Sequence, residues 1–246
     1  MSILTKSVVS ALAFPVFIAS VPTAVRAEEP PCPFYENRSG LCGYYHSEIS
    51  PAEAYIDTVV KRDRDGKSGQ GRRERHAVIL DVRSTSEYKA GHPEHAYNVP
   101  YPYIYQYCDG TGRSADGACK KGTGTLPQDP DTFVRYVENL IPDKDTPIYT
   151  LCRTGVRSVG AANVLTDAGY THVRNIWEGF VGINLMAPKK QADGGVVLQA
   201  VDLNHDGALT DEDKNGWRYH QALPYDTRLL PRLIYQAEAG LYDMVD

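Results

Sequence analysis

The longest apolar run lies at the very start. Val8 to Val21 carries no charge, follows Lys6, and leads to Val25-Arg26-Ala27, with small residues at the −3 and −1 positions of a cleavage site. The run is shorter than the ~20 residues a bilayer helix needs, so residues 1–27 are read as a secretory signal peptide. Beyond it the pattern changes to short alternating elements. Ser50-Pro51-Ala52-Glu53 has the chemistry of a helix start, with Tyr55, Ile56, Val59 and Val60 following at helical spacing. His76 to Arg83 reads as a strand, and Ser84-Thr85-Ser86-Glu87 is a capping box opening a short helix that ends at Gly91. Asp129-Pro130 opens another helix, with Phe133, Val134, Val137, Leu140 and Ile141 on one face. Pro147 to Leu151 is a short buried strand. Val159, Ala161, Ala162, Val164 and Leu165 then mark a helix stopping at Gly169, and Val173–Ile176 is a further strand. No internal repeat is present. Strands and helices in alternation predict an α/β fold: a parallel sheet with helices on both faces.

The segments between these elements are also informative. Arg62 to Arg75 is charged and glycine-rich and is expected to be an exposed loop. Tyr97 to Tyr107 alternates five tyrosines with prolines and polar residues. It is read as a packed surface loop, the alternative being an aromatic wall beside a site. At 246 residues the chain suits one or two domains. With 42% hydrophobic residues it is not a disordered chain. A net charge of −5 with only the short basic run Arg72, Arg73 and Arg75 argues against nucleic acid as a partner. Once the signal is cleaved no membrane association is expected, and the mature protein is expected to be periplasmic or secreted.

That compartment gives meaning to an odd number of cysteines, five. Exported thiols tend to pair. Cys32 and Cys42 bracket a short turn-rich loop, as do Cys108 and Cys119. These local bridges are the preferred scheme, although sequence permits other pairings. Cys152 is then left over.

Cys152 follows the Pro147–Leu151 strand and precedes Arg153-Thr154-Gly155-Val156-Arg157-Ser158 and a helix. A cysteine in a strand–loop–helix turn lies at the carboxyl end of a strand, where open α/β sheets place their sites. Loop N–H groups, the positive end of the helix, and Arg153 and Arg157 all favour thiolate over thiol. The cysteine phosphatases use a similar cradle, with one more residue between cysteine and arginine than Arg153 to Val156 provide. The shorter loop favours a smaller guest, a single sulfur atom.

With these features the chain resembles the rhodanese family of sulfurtransferases. The resemblance runs over residues 48–184. It includes Asp81-Val82-Arg83, the segment Gly91-His92-Pro93 with Ala96, Asn98, Val99 and Pro100, and Trp177-Glu178-Gly179-Phe180. It resumes at Gly216-Trp217 and Leu223-Pro224. The family's isoleucine after the Gly-His pair is missing, and Glu94-His95 stands where a glycine is usual. Asp81 and Arg83 are expected to be scaffold, and His92 and His95 turn or surface residues. The resemblance implies a Cys152 persulfide, formed from thiosulfate or a persulfide donor and discharged to a thiophilic acceptor, with a thiol-redox protein as a possible partner. Arg157 and Arg153 would neutralise charge, and the loop residues Thr154, Gly155, Val156 and Ser158 would cradle the sulfur. The alternatives are a sulfur-carrier or redox-partner module without turnover, and a phosphatase or arsenate reductase-like enzyme.

A second constellation interrupts this domain at residues 186–215. Asp202, Asn204, Asp206 and Asp213 stand at positions 1, 3, 5 and 12 of a loop with Gly207 at position 6. With the Ala208 carbonyl and Thr210 they form an oxygen set suited to calcium. The loop resembles an EF-hand, with a dockerin-like aspartate at its last position and a strand-like Gly195–Val201 before it. A lone structural calcium site is expected. The organisation is thus a signal peptide (1–27), an extension with the Cys32–Cys42 loop (28–47), the α/β domain (48–226) interrupted by the calcium loop (202–213), and a tail (227–246).

Overall fold

The computed structural model describes Cys32, residues 40–62 and residues 76–244. The signal-peptide segment and Arg72, Arg73 and Arg75 lie outside the described residues. Strand β1 (Ser47–Ile49) leads into α1 (Pro51–Tyr55), which continues as a π-helical turn over Ile56–Val60. Ser50 caps α1 by accepting from the Glu53 N–H at 3.2 Å. The Glu53 carboxylate does not return the bond. It faces Arg174 at 3.4 Å instead, because an exposed carboxylate gains more from a cation than from a cap already shared with water. After β2 (Val78–Asp81), α2 (Thr85–Lys89) opens with the full reciprocal box between Ser84 and Glu87. Two short strands follow, β3 (His92–Pro93) and β4 (Tyr97–Asn98).

Strands β5 (Tyr103–Cys108) and β6 (Gly122–Pro127) pair antiparallel as a separate ribbon. The tyrosine-rich stretch is therefore strand for much of its length, not surface loop. Tyr105 lies in the interior, 1% exposed, and Tyr107, next to an irregularity in the ribbon's register, lies outside. Helix α3 (Pro130–Leu140) buries Phe133 and Val137; β7 (Ile148–Leu151) is buried along its whole length. Helix α4 (Arg157–Asp167) and β8 (Val173–Ile176) complete the domain.

The central sheet has the order β1-β8-β7-β2-β4, and all its pairs are parallel. With its helices it is the predicted α/β architecture. Leu80, Ile148, Leu151, Val173 and Ile176 from the strands pack with Phe133, Val137 and Leu165 from the helices, all fully buried. Burial of such side chains contributes ~1.5–3 kcal/mol each.

Both expected disulfides are present, Cys32–Cys42 and Cys108–Cys119, and Cys152 is free. The extension is tied to α4, where Asn163 accepts from the Tyr44 N–H and donates to the Cys42 carbonyl. The interruption contains a two-stranded ribbon, β9 (Met186–Lys190) with β10 (Val196–Ala200). Trp217 is fully buried, and its indole N–H donates to the Pro224 carbonyl at 2.9 Å. A short strand β11 (Tyr225–Asp226) pairs with β3. The last segment is not a loose tail. Tyr235 and Tyr242 are buried, and the Tyr242 hydroxyl donates to Asn98 of the sheet's edge strand β4. Apolar residues too sparse to show a period still bury their rings here.

Among the described residues no helix is long and apolar enough to cross a membrane.

Candidate active site

The site begins where β7 ends. Cys152 is 0% exposed, and the Ser158 hydroxyl donates to its sulfur at 3.3 Å. The loop is held from a neighbouring turn. The N–H of Phe180 donates to the Cys152 carbonyl at 2.8 Å, and those of Val181 and Gly182 donate to the Arg153 carbonyl at 2.9 and 3.1 Å. Asn175 Nδ2 donates to the Gly155 carbonyl at 3.2 Å. This contact is close enough to dictate the sequence: at Gly155, φ +81°, a Cβ would stand 1.8 Å from the Trp177 carbonyl oxygen. The Trp177–Phe180 segment noted in the sequence is thus the support on which the cysteine loop rests. No side chain caps the start of α4 at Val156, which leaves the helix's positive end to the loop.

The two arginines are engaged differently from expectation. Arg157 donates from both terminal nitrogens to Glu87, at 2.6 and 2.8 Å, and to the Tyr103 hydroxyl oxygen at 2.7 Å. Glu87 is 2% exposed; burial by itself would raise its pKa, but the charge and hydrogen bonds of Arg157, helped by the charge of Arg83, hold it below the ordinary carboxylate range. Arg153 Nε donates to Asp116 Oδ2 at 2.5 Å, and Asp116 is likewise buried and held low by Ser114 and Arg153 against desolvation. Each guanidinium therefore already has a carboxylate partner. Sequence could not show this, because the partners lie 70 and 37 residues away.

Above the loop lies a cavity of about 500 Å³, lined by Arg153, Thr154, Arg157, Glu87, Tyr103, Gln106, Ser114, Cys119 and Lys120 among others. Most of its outer wall is the β5–β6 ribbon and its disulfide-closed connection. Gly117 in that connection, φ +81°, presses against Ser86, where a Cβ would stand 2.2 Å from the carbonyl. The aromatic-wall alternative holds for Tyr103. Another opening, about 530 Å³ against Pro130, Val134 and Val164, has no nucleophile in its lining.

Asp81 and Arg83 are scaffold. They form a fully buried ion pair, with Arg83 over the Phe180 ring. His92 is neither a turn nor a surface residue: it lies in β3, paired with β11. It is 2% exposed, stacked on Tyr88, with burial pushing its pKa down. His95 takes a positive φ of 62° in the adjacent turn.

The residues of the 202–213 loop come together apart from the cavity. Asp202 accepts from the Gly207 N–H, Asn204 from that of Asp206, and Asp206 from that of Ala208. Asp213 is fully buried. Its Oδ1 accepts from Leu203 and Asn204 and its Oδ2 from Thr210, while the Thr210 hydroxyl accepts from Glu212. Among the described residues no group of three or more His, Cys, Asp or Glu side chains is gathered to hold a metal ion.

A parallel α/β sheet with a cysteine loop between a central strand and a helix defines the class of domain. Residues 67–185 match the model of the rhodanese-like domain. Senescence-associated protein DIN1 of Raphanus sativus is 34% identical over 102 residues, 42% of this chain and 45% of that protein. Thiosulfate sulfurtransferase 18 of Arabidopsis thaliana is 30% identical over 102 residues, 42% of this chain and 62% of that protein. Thiosulfate sulfurtransferase 16, chloroplastic, of the same plant is 31% identical over 101 residues, 41% of this chain and 68% of that protein. The chain spans less than two thirds of the first two. It belongs to the rhodanese-like family.

Proposed function

We propose that the protein is a sulfurtransferase working through Cys152. The observation that carries this reading is the free thiol at the end of β7, hydrogen-bonded by Ser158 in a loop that opens onto α4. Two relatives named thiosulfate sulfurtransferase support it. The Cys152 thiolate attacks the sulfane sulfur of thiosulfate or a persulfide, the donor's S–S bond breaks, and sulfite or a thiolate leaves with the bonding pair. A thiophilic acceptor then removes the outer sulfur of the cysteine persulfide in a second step. Arg157 and Arg153 act as paired cations that position the loop. Cys152→Ser should abolish turnover, and the wild type incubated with donor should gain one sulfur, about 32 Da, at Cys152. Turnover retained in the serine variant would refute the reading.

A second reading, a sulfur carrier or redox-partner module with negligible turnover, is favoured by the complete burial of Cys152. Steady-state assay with several donors separates the two.

Export belongs to the same proposal. The two disulfides suit an oxidising compartment, and a mature N-terminus at Glu28 in protein recovered from the periplasm or medium would support it. Structural calcium at residues 202–213 is supported by Asp202 Oδ1, which is buried without a hydrogen-bond partner.

A further inference from the structure

The ribbon β9–β10 takes no part in the cysteine site, and its two faces differ. Opposed residues of an antiparallel pair point to the same side, so Ala200 with Met186, Leu198 with Pro188 and Val196 with Lys190 form one face. On it Met186, Val196 and Leu198 are 55%, 60% and 68% exposed, and Pro188 is exposed among them. A contiguous apolar row left to water marks an interaction surface. The charges at the ribbon's two ends say what covers it. Lys190 closes the face at the turn, exposed and without a carboxylate partner among the described residues. Lys189 adds a cation on the opposite face, and Asp193 in the turn offsets one of the two. At the base, β10 runs into the 202–213 loop, which returns to the ribbon where Lys214 bridges Asn184. That segment carries Asp202, Asp206, Asp211, Glu212 and Asp213 against one lysine, Lys214, already paired with Asp211. Glu212 is exposed, and its carboxylate accepts from the neutral Asn204 amide at 3.3 Å. The five-residue strands span ~13 Å, so the ribbon holds the Lys190 end of a chain away from its own Glu212 end.

We propose that this face packs on the same face of a second copy of the chain, with the strands antiparallel across a two-fold axis. Lys190 of each copy then lies against Glu212 of the other. The surface is self-complementary, as a two-fold interface requires. The apolar row supplies the adhesion, and the charges choose the orientation, because the parallel alternative would gather the lysines at one end and the carboxylates at the other. Glu212 is outside the oxygen set assigned to calcium, so the pairing does not depend on the ion. The inference is also independent of the sulfurtransferase reading.

The test is sedimentation equilibrium of the purified protein from about 1 to 300 µM, a range that covers weak and moderate association. The wild type should dimerise within it. Leu198→Glu, checked for folding by circular dichroism, should be monomeric throughout, since two carboxylates would enter the apolar face. Lys190→Glu and Glu212→Lys each set like charges together twice, and each should raise the dimer Kd about tenfold. An equimolar mixture of those two variants should associate as tightly as the wild type, because every contact in the mixed dimer again joins opposite charges. A wild type that stays monomeric at the highest concentration overturns the inference and leaves the face to a different occupant. A dimer that survives Leu198→Glu uses another surface and overturns it equally. Charge variants that leave Kd unchanged, or a mixture no tighter than its components, overturn the antiparallel pairing on which the choice of a second copy rests.

Discussion

Asp116 and Arg153 join the two halves of the candidate site. The carboxylate comes from the disulfide-closed connection of the β5–β6 ribbon, and the guanidinium from the residue after Cys152. Asp116 is 3% exposed, whereas Arg153 keeps about a third of its side chain in water. The pair thus fixes the ribbon against the cysteine loop and also cancels a charge at the cavity floor.

Replacing Asp116 with Asn should separate those two effects. Arg153 would face the cavity uncompensated, so sulfite should bind about three- to tenfold more tightly in calorimetric titration, as expected for one added charge near a protein surface. The buried end of the bond would be weakened, with about 1–3 kcal/mol lost in denaturant unfolding. Unchanged sulfite affinity would mean that Arg153 does not present its charge to the cavity.

Glu87 carries a larger share of the stability. Glu87→Gln leaves Arg157, 18% exposed, without a counter-charge and should cost about 3–5 kcal/mol. The pH dependence follows from the lowered carboxyl pKa, in which the cations outweigh desolvation. The stabilisation is complete above the unfolded glutamate value, about 4.3, and is lost as pH falls through the lower folded value. Urea unfolding between pH 7 and pH 3 should therefore show an acid limb in the wild type that is flatter in Glu87→Gln.

The order of the elements was legible because each depends on neighbours in sequence. The Ser84–Glu87 box, the helical face of α3 and the β7–Cys152–α4 passage need only local spacing, and the structure has all three. Both disulfides were legible for the same reason. The cavity was not. Its loop residues Arg153, Thr154 and Arg157 were recognisable, but the partners of Arg153 and Arg157 arrive by tertiary packing of the ribbon and α2. Tyr103 was hidden in a stretch where prolines obscured the strand period. Glu87 was noticed only as a capping residue, and it performs both tasks: Oε2 accepts from the Ser84 N–H and from Arg157. A turn-forming cysteine pair beside a tyrosine run was the available signal for the wall.

His92 provides a test at milder pH. Its ring stacks on Tyr88 with centroids 3.7 Å apart, and Nδ1 lies 2.9 Å from the Tyr88 carbonyl oxygen. Desolvation lowers its pKa against the opposing pull of the Tyr88 carbonyl and Asp81. The neutral ring is favoured in the folded state, so the contribution is complete above the unfolded value, about 6.5, and is lost as pH falls below it. The wild type should lose stability from pH 7.5 to pH 5.5, by at most about 1.4 kcal/mol per pH unit for one group. In His92→Gln that slope should be smaller, measured by urea midpoint at each pH.

Calcium at the 202–213 loop should register as a shift in thermal midpoint. An ion that binds only the folded state raises Tm with concentration, by about 2.7 kcal/mol of stabilisation at a hundredfold excess over Kd. Asp202→Ala removes the unpartnered oxygen and should abolish the calcium response. Asp213→Ala should instead destabilise the protein with or without the ion, because its two oxygens already hold three loop N–H groups. A wild-type Tm indifferent to calcium and to chelator would remove the metal from the account.

Gly155 tests whether the Trp177–Phe180 turn sets the shape of the cysteine loop. At φ +81° an alanine carries the ordinary cost of a left-handed residue, about 1–2 kcal/mol, and its Cβ would also stand 1.8 Å from the Trp177 carbonyl oxygen. That atom is backbone and cannot swing aside, so the loop must move. Gly169 offers the matched control, with φ +91° and nothing within 4 Å of a Cβ. Gly169→Ala should show the backbone cost alone and still form the Cys152 persulfide. Gly155→Ala should lose at least 1–2 kcal/mol more, on the scale of overpacking a tight site, and lose persulfide formation by mass spectrometry. Equal losses in the two variants, with persulfide retained in both, would show that the contact with Trp177 does not govern the loop.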